Sequence, residues 1–207
     1  MAKKGIDKKK YDRMAKIYDL MESPMELLAF ARWRSKAIDK AYTAQKILEV
    51  GTGTGKNLPY YTEGQHVFAV DISKKMLKKA KVRVQKSKAI VDLVQMDAES
   101  LGFSNDFFDA SVATYVFCSV ENPISGLLEL RRVLKKDGIA VFLEHMRSEN
   151  ELIGKGMDLF NPVVARTGPN INRRTVRNIQ NAGFEVVEEM YLFSSVFRLI
   201  IAQPKPE

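Results

Sequence analysis

Three glycines spaced at every second position restrict the fold of this chain more than any other feature. The stretch Glu49-Val50-Gly51-Thr52-Gly53-Thr54-Gly55-Lys56-Asn57 follows a short β-run, Lys46 to Val50, and precedes a helix. Glycines in that place let the backbone turn tightly and come close to a ligand. The units that follow repeat the strand-then-helix pattern. His66 to Val70 is a second β-run ending at Asp71. Ser73 then caps a helix with Met76, Ala80 and Val84 inward and a lysine-rich outer face. Ala89 to Met96 reads as a third strand, and Phe108 to Phe117, rich in β-branched and aromatic residues, as a fourth. Asn122-Pro123 starts a helix that buries Leu127, Leu130 and Leu134 and stops at Gly138. The continuous apolar run Ile139 to Leu143 suits a fifth strand covered on both faces. Asn172 is expected to cap a further helix, with Val176 and Ile179 inward and Gly183 as the stop. Two last strands fall near Phe184 to Tyr191 and Val196 to Ala202. Repeated βα units predict a parallel sheet with helices on both faces, and the final pair predicts an antiparallel hairpin at one edge.

The residues before the first strand differ in texture. Met1 to Lys10 holds five lysines and almost nothing apolar, which reads as a solvated tail. Tyr11, Met14, Ile17, Tyr18 and Met21 then recur on one helical face. Ser23-Pro24 starts a second helix over Met25 to Lys40, with Leu27, Phe30, Ala31 and Ile38 mostly on one side. Residues 1–45 are thus expected to form a basic helical lid and residues 46–207 the main domain, in one compact unit. The stretch Glu149 to Ile171 interleaves Gly154, Gly156, Pro162, Gly168 and Pro169 with Leu152, Met157, Leu159, Phe160 and Val163. It reads as too broken for one long helix, and either a wall over a pocket or a packed irregular crossover accounts for it.

A chain of 207 residues suffices for one well-cored domain, and 45% apolar with 28% charged residues excludes a disordered, collagen-like or coiled-coil chain. No apolar run approaches the roughly 18 residues of a membrane span. The single cysteine, Cys118, permits no intrachain disulfide and points to a reducing, cytoplasmic setting. It reads as a buried small hydrophobe. His66 and His145 make no metal-ligand pattern with it, so no metal is expected. The formal charge of +8 suits an anionic membrane or nucleic acid.

Three classes of ligand use a glycine loop between a strand and a helix. A phosphate-cradling loop needs G-x-x-x-x-G-K-[ST], but only three residues separate Gly51 from Gly55, and Asn57 stands where the hydroxyl is required. A dinucleotide fingerprint needs its third glycine where Lys56 stands. S-adenosylmethionine needs an acceptor for its amino group, an acid for the ribose hydroxyls and a polar group for adenine. Glu49 ends the first strand near the amino acid end. Asp71, about 20 residues past the glycines, sits where a ribose-binding acid belongs. Asp97 follows the third strand as an acceptor for the adenine amino group, with Ile72 and Met76 placed to sandwich the purine.

On the residues Glu49 to Gly55, Asp71-Ile72-Ser73 with Met76-Leu77, Asp97-Ala98 and Leu130 to Gly138, the sequence resembles the class I S-adenosylmethionine-dependent methyltransferases over about Lys46 to Leu143. The resemblance implies an α/β, Rossmann-like, doubly wound seven-stranded sheet, mostly parallel with an antiparallel last strand. It implies S-adenosylmethionine as cofactor, with S-adenosylhomocysteine as product. It also implies a cofactor set of Tyr11, Tyr18, Glu49, Gly51, Thr52, Gly53, Asn57, Asp71, Ile72, Met76, Asp97, Ala98 and Thr114.

Likeness extends outside the cofactor motifs. Tyr11 to Asp19 looks like the N-terminal lid of ubiquinone/menaquinone C-methyltransferases and bacterial phospholipid N-methyltransferases. Cys118-Ser119-Val120 with Leu143-Glu144-His145 looks like the membrane-associated alkyl thiol methyltransferases. The stretch from Leu143 through Asn170 to Thr175 and on to Gly183-Phe184 is similar to phosphatidylethanolamine N-methyltransferases. These groups act on lipid-like or apolar acceptors, which implies work at an anionic membrane surface, peripheral to its inner face, and a basic amphipathic N-terminus suits that. The fourth strand lacks the Asn/Asp-Pro-Pro-aromatic motif of adenine-type amine methylation, and no nucleic acid is expected. The first reading of the acceptor is the amine of phosphatidylethanolamine. A quinol carbon and a small thiol or amine are the alternatives, and an RNA-associated or non-catalytic cofactor-binding role follows behind them. His145, after the fifth strand, is expected as a base. Tyr18 and Tyr115 are expected to orient the acceptor. Arg147, Arg166, Arg173 and Arg174 are candidates for a lipid phosphate.

Overall fold

The computed structural model describes residues 29–166 and 169–206. Tyr11, Tyr18, Leu27, the expected helix over Tyr11 to Met21 and the Ser23-Pro24 start lie outside the described residues. The elements run α1 (Ala31–Asp39), β1 (Lys46–Val50), a 3-10 turn (Leu58–Tyr60), β2 (His66–Asp71), α2 (Lys74–Val84), β3 (Ile90–Gln95), β4 (Phe108–Thr114), α3 (Pro123–Val133), β5 (Leu134–His145), α4 (Glu151–Val164), α5 (Thr175–Asn181), β6 (Phe184–Phe193) and β7 (Phe197–Pro204). The strands form one seven-stranded sheet in the order β3-β2-β1-β4-β5-β7-β6. The first five pair in parallel, and β7 runs against both β5 and β6. The expected mostly parallel sheet with its closing hairpin is therefore the fold.

The alternation of side chains along β1 shows why the central strands read as continuous apolar runs. Leu48 faces one core with Phe108, Leu127, Leu130, Phe142 and Phe184. Ile47 faces the other with Ala37, Ile38, Val67, Val112 and Leu143. Both layers are filled, so neither face of the central strands meets water. The second half of the expected lid is part of this packing, since Ala37, Ile38 and Ala41 are buried. Strand order reverses between β1 and β4, and in sheets of this type ligands bind in the crevice beyond the strand ends at that point. Among the described residues no helix is long and apolar enough to cross a membrane.

Local rules hold at several boundaries. Ser73 Oγ accepts from Met76 N at 3.2 Å and caps α2, Asn122 caps α3 by accepting from Ser125 N, and Gly183 ends α5 at φ +84°. Four boundaries differ from the sequence reading. Strand β4 stops at Thr114 instead of Phe117, because Tyr115 takes φ +60° and turns the chain out of the sheet. Helix α3 stops at Val133 instead of Gly138, because Leu134 is already extended and pairs with Phe108. Gly138 lies inside β5, where a Cβ would come 2.9 Å from the Asp109 carbonyl oxygen. Asn172 caps no helix: its amide donates to Asp158 at 3.0 Å, and Arg174 precedes α5. Residues 151–164 form one helix despite Gly154, Gly156 and Pro162. Asn150 Oδ1 accepts from Leu152 N and Ile153 N at its start, and Pro162 sits in the last turn, where it removes a single hydrogen bond.

Gly51 turns at φ +64°, and a Cβ on it would lie 2.6 Å from Val116 Cγ2. Backbone and overlap costs together predict that Gly51→Ala destabilises the protein by about 2–4 kcal/mol. In thermal denaturation Val116→Ala in the same chain should recover the overlap part only. A Gly51→Ala protein melting with the wild type would contradict this packing.

Candidate functional site

The loop after β1 is built by three left-handed glycines, Gly51, Gly53 and Gly55, at φ +64°, +56° and +81°. Thr52 N donates to the Val70 carbonyl at 3.0 Å and ties the loop to β2. Asp71, the last residue of β2, joins the loop to the start of α2. Its Oδ2 accepts from Gly53 N and its Oδ1 from Ser73 N, both at 2.8 Å. Ile72 is half-buried beside it, and Met76 is buried one turn into α2. After β3, Asp97 Oδ1 accepts from Glu99 N at 2.9 Å, with Ala98 half-buried next to it.

Glu49 lies beneath the loop, 1% exposed. Asn57, leaving the glycine loop, donates from Nδ2 to Glu49 Oε1 at 3.2 Å and to Thr114 Oγ1 at 3.1 Å. Arg34 of α1 reaches the same group, donating from Nη1 to Asn57 Oδ1 at 3.1 Å and to Thr114 Oγ1 at 2.8 Å. Burial pushes the Glu49 carboxyl up to about 7, although the Thr52 and Tyr61 hydroxyls, the Arg34 charge and the Asn57 amide pull the other way. The structure thus brings Glu49, Asn57 and Thr114 together and adds Arg34 and Tyr61, which the sequence reading missed. A signal for Arg34 existed. Phe30, Arg34, Ala37, Ile38 and Ala41 recur at helical spacing, and a charge on an otherwise apolar stripe needs a buried partner.

A second group flanks the first where β4 ends. Tyr115 leaves the strand at φ +60°, and the next two amides, Val116 N and Phe117 N, both donate to Glu144 Oε1 at 2.9 Å. Glu144 is fully buried on β5, and burial raises its carboxyl to about 7. The Tyr115 ring packs 4.8 Å from Phe30, with the Arg34 guanidinium 5.1 Å from its centroid. Phe197 lies 5.3 Å from Trp33, 6.3 Å from Tyr115 and 6.2 Å from His145, so these rings form one aromatic wall. His145 Nε2 is buried without a hydrogen-bond partner, and burial holds its pKa down near 4. The imidazole is therefore neutral at pH 7, able to accept a hydrogen bond but weak as a base.

Of the four arginines, Arg147 and Arg173 lie side by side, with Arg147 N donating to the Arg173 carbonyl at 3.0 Å. Arg147 pairs with Glu151 and with Asp158 at 3.2 and 3.0 Å, and Arg173 donates to the Val120 carbonyl at 2.6 Å. Arg166 and Arg174 are exposed. Cys118 is buried, and burial pushes its thiol up, as suits a packing residue. Tyr11 and Tyr18 lie outside the described residues. The family model described as "Methyltransferase domain" matches residues 48–142. The chain is 36% identical over 102 residues to a phosphatidylethanolamine N-methyltransferase of Cereibacter sphaeroides, covering 48% of this chain and 50% of that one. It is 29% identical over 187 residues to a demethylmenaquinone methyltransferase of Renibacterium salmoninarum, covering 86% of this chain and 76% of that one. It spans between half and about three quarters of the length of these curated relatives. A solved SAM-dependent methyltransferase from Thermotoga maritima shares the fold with a TM-score of 0.69 at 20% identity, covering 95% of this chain and 99% of that one.

Folded-state values near 7 for Glu49 and Glu144 lie above the unfolded carboxylate range. The folded state therefore holds extra protons between about pH 4.5 and 7, and stability falls as pH rises through that window. Glu49→Gln should stabilise the ligand-free protein at pH 8 by about 1–3 kcal/mol and change little at pH 5, measured by chemical denaturation. An equal effect at both pH values would contradict a buried, proton-seeking Glu49.

Proposed function

We propose that the chain, whose residues 48–142 match the methyltransferase domain model, is an S-adenosylmethionine-dependent methyltransferase acting on an apolar, membrane-resident acceptor, first the amine of a phosphatidylethanolamine-type lipid. The observation that carries the cofactor side is the buried Glu49 carboxylate beneath the glycine loop, one strand away from Asp71. A carboxylate that burial disfavours as an anion fits a ligand bringing positive charge, and S-adenosylmethionine carries an ammonium and a sulfonium. When bound, it supplies an electrophilic methyl carbon for in-line displacement. Glu49 holds the ammonium end and Asp71 the ribose diol. Asp97, Ala98, Ile72 and Met76 frame the adenine, and Thr52, Asn57 and Thr114 complete the floor.

The acceptor side is the aromatic wall of Phe30, Trp33, Tyr115, Phe197 and His145. Ring faces attract an ammonium headgroup and also stack on a planar ring. His145 Nε2 orients the acceptor by taking a hydrogen bond from its N–H or O–H, and the proton leaves to water because burial makes the imidazolium costly. Tyr18, outside the described residues, keeps its expected role of orienting the acceptor. Arg166 and Arg174, the exposed members of the arginine set, are the ones this reading assigns to a headgroup phosphate.

The amine acceptor is supported by the phosphatidylethanolamine relative, at 36% identity over its matched half. A quinol carbon is the second reading, favoured by the demethylmenaquinone relative that aligns with 86% of this chain. Incubation with methyl-labelled S-adenosylmethionine and vesicles of phosphatidylethanolamine plus an anionic lipid tests the choice. Label in mono- and dimethylated headgroups is expected. No lipid label, with cofactor binding intact, overturns the amine reading and moves it to quinols.

A further inference from the structure

Helix α4 is built inside out. Its polar side faces the protein: Glu151 and Asp158 pair with Arg147, Asp158 accepts from Asn172, and Asn161 Oδ1 accepts from Ile171 N at 2.9 Å. Its one buried residue is Gly154, where a Cβ would lie 2.5 Å from the Arg147 guanidinium carbon, so the helix rests closely on that arginine. Its large apolar side chains point the other way. Leu152 is 83% exposed, Leu159 75%, Phe160 63%, Val163 62% and Ile153 48%. At roughly 100° per residue these five fall within about a third of the helix circumference. Scattered exposed leucines need no explanation, but a contiguous stripe of this size marks an interaction surface.

We propose that the outer face of α4 is the surface by which the chain docks on an anionic phospholipid bilayer. The inference rests on the reading of a membrane-resident acceptor and names the element that would bring the site to it. Three observations favour a bilayer over a second copy. Lys155 borders the stripe beside Leu159, its long stem able to lie along the apolar surface with its ammonium among headgroups. Arg166 is exposed just beyond the C-terminal end of the helix, next to the stripe residue Val163 in the last turn. A two-fold contact through this face would set like cations against each other, whereas anionic headgroups neutralise them. Finally, α4 is the next element after β5 and begins at Glu151, a short loop past the strand end at His145, so the helix starts near the proposed acceptor wall.

The test is flotation of the full chain with vesicles of phosphatidylethanolamine and phosphatidylglycerol, comparing wild type with a Leu159→Ser, Phe160→Ser double variant. Both positions are exposed, and unchanged melting and cofactor binding would verify the fold. The wild type should float, and the variant should partition about tenfold or more weakly. Turnover on detergent-dispersed lipid should stay equal. Wild type that fails to float, or a variant that floats as well, overturns the docking surface even if dispersed lipid is methylated. A wild-type dimer that the variant loses in analytical ultracentrifugation assigns the face to a second copy and also overturns it. Vesicle binding through α4 without methylation of any lipid supports the docking surface and defeats the acceptor reading alone.

Discussion

Glu49, one residue before the end of β1, is a carboxyl group removed from water, and the surrounding architecture converges on keeping it there. The glycine loop leaves directly above it and returns Asn57 to within hydrogen-bond reach. Thr114, the last residue of β4, closes the neighbouring side, and Arg34 comes from α1 to bind Asn57 and Thr114 together. Each partner belongs to a different element, so the network fixes α1, the loop and β4 against one another. An unpaired charge in such a place costs several kcal/mol, and on the proposed reading the cationic end of the ligand offsets that cost.

The proposed acceptor side is built at the same strand ends. Tyr115 turns out of β4 in a conformation that side chains rarely adopt, and Glu144 holds the turn by accepting from the next two amides. Arg34 then connects the two groups, bonded to Asn57 and Thr114 through Nη1 and stacked over the Tyr115 ring. His145 contributes a neutral nitrogen to this wall, because nothing charged compensates its burial. The wall can orient an acceptor without itself storing the proton.

Features governed by neighbours in sequence were legible, and features governed by distant partners were not. The β1 run, the glycine loop, Asp71 and the caps at Ser73 and Asn122 follow from local rules, and the structure keeps them. Arg34 stands on an apolar stripe that signals a buried partner, but which partner was not legible, because the threonine it binds lies 80 residues away. Gly138 was misread because a glycine needed for close approach looks the same in sequence as one that stops a helix. Helix α4 was misread because glycine and proline argue against a helix, while the Asn150 cap and the contacts to Arg147 and Asn172 hold it together. Its apolar residues suggested packing, and the structure turns them outward.

The central claim is that Glu49 is a buried acid kept for the cationic end of S-adenosylmethionine. Isothermal titration of that ligand at pH 6 and pH 8, into wild type and Glu49→Gln, tests it most directly. Because the Glu49 carboxyl titrates near 7 in the free protein, wild-type affinity should rise with pH across this interval. The variant should bind roughly 10- to 100-fold more weakly at pH 8, with that pH dependence gone. Equal affinity of the two proteins at pH 8, or an unchanged pH profile in the variant, would contradict the account.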